Sequence, residues 1–194
     1  TSGQKLIDVK FYQISDYYKN QTVRLNADGQ TVKTASVIGG INGYNIWEVK
    51  YPDGVAEITS DLTTKPGSLG MNVLRPGKVE VTLTLDIGPE DAPKLTDTAV
   101  LNVTGVAVEN ADGGFGKAYL ELTSENAAPT MQLKAIPEEG RSIASWSSAN
   151  EAVATVDDKG VVTAHAVGTA QITAIDDNGT KGGILAVVSD SQNP

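Results

Sequence analysis

The chain has 194 residues, room for one large or two small domains, and either half is long enough to bury a core of its own. Its formal net charge of -9 argues against a phosphate-backbone binder, which needs clustered Lys and Arg. Cysteine is absent, which excludes a disulfide framework and a thiolate metal site, and no run of about 18 apolar residues is present to span a bilayer.

The opening TSGQK has no charged segment leading into an apolar one, so any leader is expected to be gone or to lie elsewhere. Thr1–Gln4 and Ser189–Pro194 read as linker-like ends. Aromatics gather early, at Phe11, Tyr12, Tyr17 and Tyr18, and again at Tyr44 and Tyr51 around Trp47. From there the dominant period is two. Val23 and Leu25 flank Arg24; Val79, Val81, Leu83 and Leu85 alternate with Glu80, Thr82, Thr84 and Asp86. A terminal strand is expected over Ala99–Val103, a strand over Met131, Leu133 and Ala135, and another around Ile172 and Ala174. Turn dipeptides punctuate these runs: Asp28-Gly29, Asp53-Gly54, Pro76-Gly77, Lys159-Gly160 and Asn178-Gly179 among them. No helical stripe outlasts two turns. Short strands with regular turns predict an all-β chain with almost no helix, built as β-sandwiches.

An internal repeat sets their number. Trp47 is followed by Val55-Ala56-Glu57-Ile58, and Trp146 by Val153-Ala154-Thr155-Val156. Arg75–Thr82 then aligns with Ala166–Thr173, so that Gly77 matches Gly168. The first copy is longer between Trp and Gly, and the surplus falls in Thr63–Gly70, read as a hairpin extension. Two sandwiches in tandem are expected, 1–105 and 106–194, with the boundary near Thr104-Gly105. Charge divides unevenly between them: 10 basic and 12 acidic side chains in the first, 5 and 12 in the second.

The second copy carries an ordered set: Leu133-Lys134-Ala135, Trp146-Ser147-Ser148, Val153-Ala154-Thr155-Val156, Gly160–Ala164, Gly168-Thr169-Ala170 and Ile172-Thr173-Ala174. In that order it resembles the bacterial immunoglobulin-like domain of group 2 over residues 106–188. Residues 5–104 resemble a divergent member, with Trp47 followed by Glu48-Val49 and Met71-Asn72-Val73 standing where the second copy has its G-x-V-T-A run. The resemblance implies two tandem immunoglobulin-like β-sandwiches whose core residues include Trp47, Trp146, Gly77 and Gly168.

Little in the chain points to chemistry. His165 is the only histidine, and it reads as a surface or edge residue rather than a catalytic base or zinc ligand. Asp157-Asp158 and Asp176-Asp177 precede turn glycines, where Asp caps its own turn. They are also weak calcium candidates, because calcium takes several oxygens and the resemblance lends it some support, but no D-x-D-x-D-G loop is present. No catalytic residue and no cofactor is assigned. Tyr17-Tyr18, in the polar stretch DYYKNQ, is the candidate ligand-contact pair, for stacking on a sugar or anchoring a protein.

The expected function is therefore non-catalytic. It is a tandem module of a bacterial cell-surface or secreted protein, acting in adhesion or as a spacer. The alternatives are a phage virion protein of capsid or tail engaged in host attachment, and a carbohydrate-binding accessory module. Partners are a protein or glycan surface or neighbouring domains, with no nucleic acid and no membrane insertion.

Overall fold

The computed structural model describes residues 13–29 and 31–192. Phe11, Tyr12, Thr1–Gln4 and Pro194, singled out in the sequence, lie outside them. Among the described residues are sixteen β-strands and two short 3-10 turns, Asp16–Tyr18 and Leu62–Thr64, so the fold is nearly all-β as expected. Contacts divide the chain into two compact units. Unit 1 takes in the described residues up to Val23, Thr34–Val73 and Lys78–Asn102, and unit 2 takes in Arg24–Lys33, Leu74–Gly77 and Val103 onward.

Unit 1 packs a four-stranded sheet against a three-stranded one. The first has the order β1 (Asn20–Arg24), β7 (Thr96–Thr104), β6 (Gly77–Leu85), β3 (Asn45–Lys50); the second is β2 (Lys33–Ile38), β5 (Ser68–Val73), β4 (Ala56–Ile58). The alternation read in the sequence is the alternation of the sheet. Val79, Val81, Leu83 and Leu85 of β6 are buried, at 0 to 2% exposure, and so are Leu69, Met71 and Val73 of β5. Each such side chain contributes about 1.5–3 kcal/mol on leaving water.

Unit 2 repeats this strand order. One sheet runs β12 (Ile143–Ser148), β15 (Gly168–Asp176), β16 (Lys181–Asp190), β9 (Lys117–Leu122); the other runs β10 (Thr130–Gln132), β14 (Val161–Ala164), β13 (Ala154–Val156). A short pair, β8 (Ala107–Glu109) with β11 (Lys134–Ile136), completes it. Its core is dominated by small side chains: Ala118, Ala154, Ala164, Ala174 and Ala186 are fully buried around Ile172 and Ile184.

Two sequence expectations need correction. Met131, Leu133 and Ala135 do not share one strand: β10 pairs with β14 and β11 with β8, because the chain changes sheets at Leu133. Leu133 is buried, and its N–H donates to the Gly160 carbonyl at 2.9 Å. Thr63–Gly70 falls, as expected, in the long connection of the β4–β5 hairpin and the start of β5; within it a 3-10 turn is capped by Asp61 through the Thr63 N–H at 3.0 Å and leads through left-handed Lys65 into β5. At the other end β16 continues to Asp190, so the polar tail starts later than Ser189.

Candidate functional site

The two acidic tips use the same local device. Asp157 Oδ1 accepts from the N–H groups of Lys159 and Val161 at 2.9 and 2.8 Å. Asp176 Oδ1 accepts from those of Asn178 and Thr180 at 2.9 and 2.8 Å. In each case a carboxylate satisfies the donors that a tight reversal leaves unpaired. Asp176 is buried at 2% exposure, and its Oδ2 has no hydrogen-bond partner among the described residues. Asp177 sits 3.7 Å from Arg141 in an ion pair, and Asp158 is exposed. The two tips are not brought together into any group of three or more metal-ligating residues among those described. The structure thus gives Asp157 and Asp176 a turn-forming task.

The aromatic candidates separate by depth. Tyr17 is 79% exposed on the 3-10 turn Asp16–Tyr18, its ring edge-on to Tyr18 with centroids 4.9 Å apart. Lys19, next in the chain, pairs with Asp97 at 3.1 Å. Tyr44 is half exposed and Tyr51 a little over a third.

The tryptophans occupy corresponding edge strands, Trp47 opposite Leu83 and Trp146 opposite Ala174. Trp47 is buried at 6% exposure, and its indole N–H donates to the Pro66 carbonyl at 2.7 Å. Asn45, two residues earlier and fully buried, ties that loop to the β2–β3 connection: its amide donates to the carbonyls of Gly39 and Pro66, and its Oδ1 accepts from Ile41 N–H. Trp146 is only partly buried and packs against the core from its rim. Its ring lies against Gly160, where a Cβ would come within 2.7 Å of Trp146 Cζ2. Gly160 also has φ +81°, so the ring and the turn require glycine for separate reasons. At Gly168 a Cβ would meet Val153 at 3.0 Å, where β15 begins, and Gly77 begins β6 in the same way.

His165 follows β14, and its Nε2 lies 2.8 Å from Thr155 Oγ1. That pair is exposed, and His165 is in no ion pair among the described residues.

Sequence reading missed the polar contacts that tie segments 24–33 and 74–77 into unit 2. Arg75 directs Nε and Nη2 at Glu109 Oε1, both at 2.7 Å, and Glu109 is 3% exposed. Gln171 Nε2 donates to the Asp28 carbonyl at 2.7 Å. Gly183 in β16 lies against the 27–29 backbone so closely that a Cβ on it would be 2.6 Å from the Ala27 carbonyl oxygen. The Gly182-Gly183 pair inside a strand was the available signal, because glycine there often marks a close backbone approach.

Comparison with known proteins agrees with this fold. The family model of the bacterial Ig-like domain (group 2) matches residues 123–187. Over 115 residues the chain is 34% identical to a lacto-N-biosidase of Bifidobacterium bifidum, a match that covers 59% of this chain and 10% of that enzyme. The chain thus spans about a tenth of the length of this curated relative. Among solved structures, a C-terminal 282-residue fragment of intimin in complex with the intimin-binding domain of its translocated receptor is 21% identical, with TM-score 0.35, covering 86% of this chain and 61% of that one. The fibronectin(III)-like modules of Clostridium thermocellum CbhA are 11% identical, with TM-score 0.31, covering 93% and 95%. Both likenesses are too distant to bear on function. No helix among the described residues is long and apolar enough to cross a membrane. Residues 123–187 are thus similar to the bacterial Ig-like domain (group 2), in a chain that is nearly all-β throughout its described residues.

Proposed function

We propose that this chain is a non-catalytic, two-module spacer of a larger bacterial cell-surface or secreted protein, holding that protein's working domain at a distance. The match to the lacto-N-biosidase carries the reading: 115 residues here resemble only a tenth of an enzyme whose remainder has no counterpart in this chain. The shared strand order of the two units supports treating residues up to 105 as a divergent copy of residues 106–194. Hairpin tips whose carboxylates are engaged by their own turns suit a structural module.

The test is to offer the intact chain a panel of oligosaccharides and a glycan array. The spacer reading expects neither turnover nor binding. Hydrolysis would overturn it.

A second reading is an accessory module that contacts a glycan. The exposed Tyr17 favours it, since a ring at 79% exposure offers a stacking face, and the curated relative is a glycosidase. Array binding that is lost on Tyr17→Ala would support this reading over the spacer.

A further inference from the structure

The open edge of β9 is built to meet itself. Among the described residues β9 ends its sheet and pairs only with β16, in parallel, with Lys117 opposite Leu185 and Leu122 opposite Asp190. The ladder includes Leu185 N–H donating to the Gly116 carbonyl at 2.9 Å and Ser191 N–H donating to that of Leu122 at 3.3 Å. Alternate residues of a strand turn their main-chain groups to opposite sides. Gly116, Ala118, Leu120 and Leu122 therefore turn theirs to β16, and Lys117, Tyr119 and Glu121 turn theirs to the open edge. Asn110 Nδ2 donating to the Lys117 carbonyl at 3.0 Å agrees with that parity and leaves the oxygen a second lone pair.

The same three residues present exposed side chains, with Tyr119 at 65%. Tyr119 stands midway between a cation and an anion, and neither Lys117 nor Glu121 is in an ion pair among the described residues. We propose that β9 is a self-association edge. Two copies join antiparallel across it with Tyr119 on the two-fold axis and Lys117 of each copy opposite Glu121 of the other. All three outward residues fall on hydrogen-bonded pairs in that register, giving about six new main-chain hydrogen bonds. A two-fold contact uses each complementary pair twice, so the charges count double.

The other edges of the four-stranded sheets lack this symmetry. On β3 the exposed residues are Ile46, Glu48 and Lys50, and a two-fold axis there would set Glu48 against itself. β12 is broken by an irregularity between Ile143 and Ser145. On β1 the exposed positions are Asn20, Thr22 and Arg24, which offer no opposite charge. The acidic excess of residues 106–194 opposes association at long range. At physiological ionic strength the Debye length is about 8 Å, which screens that repulsion more than it screens contact pairs.

Sedimentation velocity on the full chain from micromolar to millimolar concentration tests the proposal. A reversible monomer–dimer equilibrium is expected. Lys117→Glu and Glu121→Lys should each weaken it about tenfold or more, and the double swap should restore it. Circular dichroism and melting of each variant confirm that all remain folded. Tyr119→Cys gives the register: across such a pair the Cα atoms stand about 5.5 Å apart, within disulfide reach. It should cross-link on oxidation far faster than Val167→Cys, which is also exposed. A chain that stays monomeric throughout, a dimer indifferent to the single swaps, a double swap that stays weak, or equal cross-linking from both cysteines would each overturn it.

Discussion

Trp47 in unit 1 and Trp146 in unit 2 sit on corresponding edge strands of sheets with the same order, yet they do different physical jobs. Trp47 is enclosed. Its ring is buried, its N–H is held by the Pro66 carbonyl, and Asn45 nearby bonds that carbonyl together with Gly39 and Ile41 of the β2–β3 connection. Trp146 is a lid. It is partly buried against its core, opposite Ala174, and its ring lies over a glycine that leaves room for it. The tryptophan inside the matched family segment is thus the shallower of the two, and a conspicuous residue in a pattern need not be the deepest in the fold.

The largest expected effect separates the two sites. Trp47→Ala should cost about 3–5 kcal/mol, as for a large buried aromatic, and it also leaves Pro66 without its indole donor. Trp146→Ala, at a half-buried position, should cost less, about 1–3 kcal/mol. Denaturant unfolding of the intact chain checks both, and equal losses would break the comparison.

Next comes Gly160→Ala, expected to cost about 1–3 kcal/mol from the left-handed backbone and the crowding of Trp146. In the Trp146→Ala background only the backbone part should remain, so a double-mutant cycle isolates the ring contact. Additivity would show that the ring does not bear on the glycine.

Conservative changes sharpen the contrast further. Trp47→Phe keeps most of the apolar area but removes one of the two donors to the Pro66 carbonyl, which Asn45 still holds, for about 0.5–1.5 kcal/mol. Trp146→Phe should cost under about 1 kcal/mol. Each leaves a single tryptophan in the chain. Acrylamide should quench the Trp146 that remains in Trp47→Phe more strongly than the Trp47 that remains in Trp146→Phe.

The smallest effect is on pH. Asp86 holds Lys65 in the loop that leads to Pro66, and the hydrogen bond and charge of Lys65 keep its carboxyl below the usual range. The folded value is lowered, so the stabilisation is present above roughly pH 4 and fades as the pH falls through the lowered value. The pair is exposed, so the effect is slight. Asp86→Asn should flatten the acid limb of the melting curve and leave neutral pH nearly unchanged.

Much of the frame was legible because the period of two is a direct image of the sheet. Val79 to Leu85 point inward as their alternation requires, and the turn dipeptides end the strands where left-handed backbone is needed. The break at Leu133 was not legible. Changing sheets keeps the side-chain alternation and alters only the hydrogen-bond partner, which sequence does not display. The depth of Trp146 was hidden for a related reason: strand alternation gives the face a side chain points to and not how much of its ring the neighbours cover. Of the candidate site, Asp157 and Asp176 were readable as turn formers, while the symmetric charge about Tyr119 acquires meaning only once β9 is known to end its sheet.

The Arg75–Glu109 pair limits how the chain can be dissected. Arg75 lies 34 residues before the carboxylate it neutralises, well upstream of the family match at 123–187. A fragment trimmed to begin at residue 106 would keep Glu109 in its enclosed position and discard its counter-ion, a loss of the kind that costs about 3–5 kcal/mol. Workers who excise the recognisable domain should expect a poorly behaved sample, and would do better to begin upstream of Arg24.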